Sequence, residues 1–257
     1  MRIADCHNIA DFRELARRRL PWPVFDYIDG GADDEVSMAR NTEAFNNCDL
    51  VPRVLAGIDN VNMSLKVLGR RTALPIILSP TALQRVFHWQ GERAVALAAE
   101  RFGLWFGISS LATISIEEIG ELVSSPKLFQ LYVHKDDGLN TSMIERCKAA
   151  NFDALAVTLD AIVSGKRERC ARSGFSSPPT FTVSSALSYA LKPRWALDYV
   201  FRERFALPNL DVPGRNSSSK DVSVSQYFNS MLDQSISWTT VSRLRDLWGG
   251  KFVLKGV

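Results

Sequence analysis

From about Pro75 onward, five apolar runs recur along the chain: PIILSP (75–80), LWFGISS (104–110), LFQLYV (128–133), ALAVTLD (154–160) and KFVLKGV (251–257). They are too continuous for strands exposed on one face, and predict strands buried on both. Segments with helical periodicity lie between them. GERAVALAAERFG (91–103) is alanine-rich and amphipathic, and SIEEIGELV (115–123) opens on the capping-box spacing Ser115/Glu118. TSMIERCKAAN (141–151) ends on an asparagine cap, and SWTTVSRLRDLWGG (237–250) runs from Ser237 to Gly249-Gly250. Repeated strand–helix units imply parallel pairing with the helices outside. Upstream, Asp11 and Glu14 have capping-box spacing and predict a helix that stops near Pro21. A short helix, PVFDYID, follows, with Pro23 in its first turn and Gly30-Gly31 at its end.

One connection breaks this rhythm. Between about Gly165 and Ser235 there is no run of the same kind, and a connection that long reads as a lid or binding excursion. Five buried strands fit either an open doubly wound sheet or part of an eight-stranded barrel, and periodicity does not separate the two. No GxGxxG or P-loop spacing follows any run, which argues against a dinucleotide or P-loop site. Composition adds limits. The 257 residues are 46% hydrophobic and 23% charged, an ordinary globular balance. A net charge of +3 is too weak to point to nucleic acid. The first twenty residues show no signal-peptide pattern, and no stretch reaches the roughly 18 apolar residues of a spanning helix. Four scattered cysteines without CxxC spacing make a reduced, cytoplasmic setting the expectation, and three isolated histidines predict no metal site.

Polar residues sit at the C-terminal ends of the apolar runs, where loops of a parallel barrel build their active site. Ser79-Pro80-Thr81-Ala82 follows the first run, Ser109-Ser110 ends the second, Gln130 and Tyr132 lie in the third, and Thr158 and Asp160 end the fourth. Lys166-Arg167-Glu168-Arg169 comes just after, and Lys255 lies in the fifth run. Ser109 or Thr158 taken singly reads better as a strand hydroxyl bonded to its neighbours. Gln130 and Lys255 are harder to dismiss, because a buried amide or ammonium without a partner costs several kcal/mol. Both are expected to face a polar ligand.

The blocks FDYIDGGADDE (25–35), PIILSPTALQ (75–84), GISSLAT (107–113), FQLYV (129–133), VTLD (157–160), GKRER (165–169), SISW (235–238) and VLKGV (253–257) resemble, in order and spacing, the FMN-dependent 2-hydroxy-acid dehydrogenase family. That family includes glycolate oxidase, L-lactate dehydrogenase and mandelate dehydrogenase. LKPRWALDYV (191–200) is most similar to the mandelate and lactate dehydrogenase branch. The resemblance implies a TIM (β/α)8 barrel, here incomplete with about five of eight strands, an N-terminal helical extension, and a long insertion after the fourth strand. It implies one domain over 1–257: helices and lead-in (1–74), four strands (75–164), a loop or lid (165–236), then a helix and the fifth strand (237–257). FMN is the implied cofactor, held by Pro80, Thr81, Ala82, Ser109, Gln130, Thr158 and Lys255, with Lys255 near the ring's N1/O2 side. Tyr27, Tyr132 and Arg167 are the implied substrate contacts, and Asp160 the carboxylate that orients the catalytic histidine. Without the resemblance, both tyrosines would read as core aromatics, Arg167 as part of a solvated charge run, and Asp160 as a strand-end cap.

The sequence also departs from the family. Asp160 is followed by Ala161-Ile162-Val163-Ser164, not the Thr-Pro-Arg of glycolate oxidase, and Leu111 stands where that oxidase has a tryptophan. No stretch like Ser-Asn-His-Gly-Gly-Arg-Gln, which in the family carries the base histidine and a second substrate arginine, occurs in the chain. His7, His88 and His134 are not in that context, and the family's phosphate site is missing too. The expectation is a chain that stops short of its catalytic base, poorly stable alone, with unpaired strand edges.

Two functions follow. One is FMN-dependent oxidation of a small L-2-hydroxy acid to the 2-keto acid, with electrons passing to a quinone or another acceptor. The alternative is a non-catalytic truncated remnant with a partial flavin site. Another FMN barrel, a type 2 isopentenyl diphosphate isomerase, is disfavoured by block 25–35 and Arg167. The resemblance implies homo-oligomers for full-length members. Residues 184–205 interleave aromatics with Lys192, Arg194, Arg202 and Arg204, and read either as a peripheral contact on the inner face of the cell membrane or as a soluble lid.

Overall fold

The computed structural model describes residues 2–161, 163–175, 183–203, 205–211 and 230–257. Three helices lead: α1 (Ile9–Arg19), α2 (Trp22–Asp29) and α3 (Val36–Asn46). The start of α1 corrects the expected cap. Asn8 is the cap, accepting from the Asp11 N–H at 2.8 Å, while Asp11 accepts from the His7 N–H at 2.8 Å. The reciprocal pair lies one turn before Asp11/Glu14, and Glu14 instead holds Arg17 and Arg18 at 2.7 and 2.8 Å. α2 begins and ends as Pro23 and Gly30 predict.

An antiparallel pair follows, β1 (Leu65–Val67) and β2 (Arg70–Thr72). Three-residue strands give too short an alternation to read from sequence. Then β3 (Ile77–Leu78), β4 (Trp105–Ser109), β5 (Lys127–Tyr132), β6 (Ala154–Thr158) and β7 (Lys251–Lys255) form one parallel sheet in chain order. The crossovers carry α4 (Gln84–Phe87), α5 (Glu92–Phe102), α6 (Ile116–Leu122) and α7 (Asp137–Ala149). After β6 come α8 (Glu168–Ser173), α9 (Val183–Ala190) and α10 (Pro193–Phe201), and α11 (Trp238–Trp248) leads into β7. α7 starts earlier than its periodicity predicts, because Asp136 caps it by accepting from the Gly138 and Leu139 N–H groups.

Strand alternation divides the sheet into two faces. Phe106, Ile108, Phe129, Leu131, Leu155 and Val157 pack with the crossover helices in the main core. The other face is apolar at its lower end, where Trp105, Leu128, Ala154 and Ala156 meet Val67 and Leu68 of the β1–β2 hairpin. The hairpin floors the inner face. At the upper end the same face becomes polar, with Ser109, Gln130 and Thr158.

The expectation of burial on both faces holds for β4, β5 and β6 and fails for the outer strands. Ile77 of β3 is 42% exposed, and β7 is half-buried at its centre and exposed at both ends. Each outer strand is paired on one side only in the described sheet. Among the described residues no helix is long and apolar enough to cross a membrane, and no three His, Cys, Asp or Glu residues gather as a metal site.

Candidate active site

The upper end of the inner face carries a chain of buried hydrogen bonds across three strands. Ser109 Oγ donates to Gln130 Oε1 at 2.8 Å, and Gln130 Nε2 donates to Thr158 Oγ1 at 2.7 Å. All three residues are at most 2% exposed. These bonds use one amide hydrogen and one lone pair of Gln130, which fixes the amide plane and leaves its second N–H to donate. Lys255 is the register partner of Thr158 in β7. It corrects the sequence expectation: Lys255 is exposed, because β7 is the outer strand, so no burial penalty forces a ligand on it.

The loops above the strands are pinned by a residue the sequence reading missed. Glu92, 1% exposed, accepts from the Gln84 N–H at 3.3 Å, the Thr113 N–H at 3.1 Å, and the Thr113 hydroxyl. It ties the loop after β3 to the loop after β4. Pro80 packs on Gly107, where a Cβ would come within 2.8 Å of the proline ring. The exposed Thr81 is braced by Gln84, whose Nε2 donates to its hydroxyl at 2.7 Å, and Ala82 is half-buried. In the sequence, Glu92 reads as an ordinary first-turn acid. Asn209 was missed likewise: fully buried, it accepts from the Ile116 N–H at 2.9 Å and donates to the Ile114 carbonyl at 3.0 Å, binding the long connection to the top of α6.

The blocks 25–35 and 165–169 interlock. Asp29 joins Arg13 at 2.5 Å and Arg169 at 3.0 Å, and Arg169 Nε lies 2.9 Å from Glu35. The Asp33 N–H donates to the Lys166 carbonyl at 2.9 Å. Arg167 is no solvated charge. Its Nη2 donates to the carbonyls of Tyr27 and Gly30 at the end of α2, and its guanidinium carbon sits 4.7 Å from the centre of the Tyr27 ring. Its buried Nε has no partner among the described residues. Tyr27 also stacks on Phe175 at 4.2 Å and Phe87 at 6.1 Å.

Electrostatics tie the remaining candidates together. Burial pushes the Tyr132 phenol up to about 12, and the nearby Tyr27 and Asp160 push the same way. Burial also raises Tyr27, against the pull of Arg167. Both phenols therefore stay protonated donors. Asp160 is exposed, and its carboxyl presses on Gly256, whose φ is +89°. A Cβ there would overlap the carboxyl, so the VLKGV glycine makes room for Asp160. Of the neighbouring Ala161–Ser164, Ile162 lies outside the described residues.

The histidines lie elsewhere. His134 is buried beside Asn140, which accepts from its backbone N–H at 2.9 Å, and burial holds its ring down at about 4. His88 lies next to Trp89, on a separate cavity. His7 is exposed ahead of α1.

The donor set suits a flat heterocycle with carbonyl acceptors along one edge. A fixed amide with a spare N–H, two strand hydroxyls and an ammonium in the next strand share one face. FMN fits these residues at its ring.

Residues 16–257 match the family model described as FMN-dependent dehydrogenase. An L-lactate dehydrogenase of Caulobacter vibrioides is 38% identical over 251 residues, covering 97% of this chain and 65% of the relative. The (S)-mandelate dehydrogenase of Pseudomonas putida is 31% identical, covering 97% of this chain and 63% of that protein. Among solved structures, the monotopic membrane protein (S)-mandelate dehydrogenase superposes with a TM-score of 0.87 at 30% identity, covering 98% of this chain and 66% of its own. The chain spans about 60–65% of the length of the curated relatives it matches. The five-stranded sheet and its helices are thus an incomplete TIM barrel.

Proposed function

This chain belongs to the FMN-dependent dehydrogenase family, and on that premise we propose that the protein oxidises an L-2-hydroxy acid, of the lactate or mandelate kind, to the 2-keto acid. The observation that carries this reading is the buried Ser109–Gln130–Thr158 chain, beside Lys255, on one inner face. FMN, when bound, supplies the two-electron acceptor. Gln130 and Thr158, with Ser109 and the backbone of Pro80, Thr81 and Ala82, would hold the polar edge of the ring. Lys255 would place a positive charge beside the ring and favour its reduced, anionic form.

Tyr27 and Tyr132, kept protonated by burial, donate to the substrate's carboxylate and hydroxyl. Arg167, held against Tyr27, brings its guanidinium to the carboxylate. Asp160 orients and charges the histidine that takes the proton. None of this chain's histidines lies in the family's Ser-Asn-His-Gly-Gly-Arg-Gln context, and the ring of His134, held at about 4, is too weak a base near neutral pH. We therefore read the 257-residue chain on its own as inactive. In the active enzyme the electrons pass to a quinone or another carrier, within a homo-oligomer. Residues 1–257 are read as one domain, with 165–236 as its long loop or lid.

Equilibrium dialysis against FMN tests the reading. Weak binding that falls further in Lys255→Met supports it. Tight one-to-one binding, or turnover of L-lactate or S-mandelate by this chain alone, contradicts the absence of a base and a phosphate site.

The segment 184–205 supports a peripheral membrane contact. Leu187, Leu191, Leu197, Val200 and Phe201 are exposed on α9, α10 and their connection, near the basic Arg194 and Arg202, and the similar (S)-mandelate dehydrogenase is a monotopic membrane protein. Arg204 lies outside the described residues. Co-sedimentation with anionic liposomes, lost on deleting 184–205, is the expected result. Equal pelleting of the deletion variant would contradict it.

A further inference from the structure

We propose that the cavity enclosed by the end of α1, by α4 and by the α9–α10 connection holds the anionic headgroup of a phospholipid. For the identity of its ligand, this rests on the membrane-contact reading above. The cavity measures about 330 Å³, within the roughly 300–1,000 Å³ of small-molecule sites. Neither the strand rim nor any residue assigned above to flavin or substrate lines it.

Three features define the ligand. The first is charge. Arg19, Lys192 and Arg194 line the cavity together with Arg18, which also pairs with Glu14, and Arg85, which pairs with Glu203; Asp198 is the other acid of the lining. The second is an unmet donor. The Arg85 side chain is 8% exposed, and its buried Nε has no acceptor among the described residues. Arg85 Nη2 already pairs with Glu203, so what is left unmet is the single Nε–H, a charged donor that is costly to leave without an acceptor. The first turn of α10 opens onto the same space through Lys192, Pro193 and Arg194, and a helix N-terminus favours an anion.

The third feature is the apolar wall. Phe87, Trp89 and Trp195 line the cavity. Trp195 is held in place by donating to the Val86 carbonyl at 2.8 Å, and it stacks between Tyr189 at 5.4 Å and Tyr199 at 5.1 Å. Leu191 lines the cavity, yet is 68% exposed, so it joins the interior to the outer apolar row. Free phosphate would satisfy the cations and leave the aromatic wall unused. A neutral amphiphile would do the reverse. A phosphodiester head with a glyceryl and acyl stem uses both.

The test uses the intact protein and dihexanoylphosphatidylglycerol below its micelle concentration, read by tryptophan fluorescence, with inorganic phosphate and dihexanoylphosphatidylcholine as control arms. The proposal expects saturable one-site binding of the phosphatidylglycerol, at least tenfold tighter than either control. It expects at least a tenfold loss in Arg194→Glu and in Arg18→Glu, both with unchanged circular dichroism. Equal binding of phosphate, equal binding of the phosphatidylcholine, or no saturable binding overturns it. A parallel sedimentation with phosphatidylglycerol vesicles separates the two readings. Pelleting without monomer binding keeps the membrane contact and overturns the headgroup site. Monomer binding without pelleting overturns the lipid assignment in favour of a soluble anionic amphiphile.

Discussion

The central strands β4, β5 and β6 differ from the outer strands β3 and β7 in burial far more than in sequence. PIILSP and KFVLKGV are as apolar as LWFGISS, yet the three central strands are covered on both faces and the outer two are not. A strand's burial is a property of its neighbours. Periodicity reports what a segment is suited to, while the described sheet decides whether that suitability is met.

Truncating matched phenylalanines tests this most strongly. Phe129 in β5 is fully buried and packs edge-on against Phe152 at 6.2 Å, whereas Phe252 in β7 is half-buried. Phe129→Ala is expected to cost about 3–5 kcal/mol, and Phe252→Ala less than half of that, in urea unfolding midpoints at constant slope. Equal losses would show that the outer strand is as well packed as the centre.

Acid probes the top of β5. Burial lowers His134 to about 4 from 6.5, so below 6.5 the unfolded chain binds more protons than the folded one. The neutral ring's contribution is full above about pH 6.5 and fades as pH falls through about 4, a swing on the order of 3 kcal/mol. The expected result is a stability slope between those values that disappears in His134→Gln. An unchanged slope in the variant would remove His134 as its source.

At the end of β7, Gly256→Ala meets both a φ of +89° and the Asp160 carboxyl. The expected loss is about 1–3 kcal/mol, part of it recovered when Asp160 is also changed to Ala. If the double variant is no better, the Asp160 contact is not what requires the glycine. The smallest effect belongs to the α6 cap. Ser115→Ala removes the acceptor for the Glu118 N–H at 3.1 Å, for about 1 kcal/mol in the same unfolding assay. A loss below about 0.3 kcal/mol would mean that the cap adds little beside Asn209.

Much of this architecture could be read from residues alone. The five runs, their parallel order and the caps at Ser115 and Ser237 follow from local chemistry, and local chemistry is written in adjacent positions. Gln130 stood out because an amide inside an apolar run has to be bonded, and it is bonded on both sides. Long-range facts were less legible. Lys255 looked as buried as Gln130, since its run does not say which strand lies at the edge. Glu92 and Asn209 sit in segments where an acid or an amide is unremarkable, and their partners lie about 20 and 95 residues away. Asn8 took the cap from Asp11 because two overlapping boxes were possible, and the structure uses the earlier one. The Tyr27–Arg167 pairing joins positions 140 residues apart, which only the family resemblance brought together.

We propose that Gln130, Thr158 and Lys255 face a flavin ring and that this chain holds the ring and not the phosphate. Titrating the chain with lumiflavin and with FMN, by quenching of flavin fluorescence, tests both halves at once. The expected result is equal affinities within about twofold, or ~0.4 kcal/mol, and at least a tenfold loss for both ligands in Gln130→Leu and Lys255→Met. FMN bound tenfold more tightly than lumiflavin, or affinities untouched by both substitutions, would contradict it.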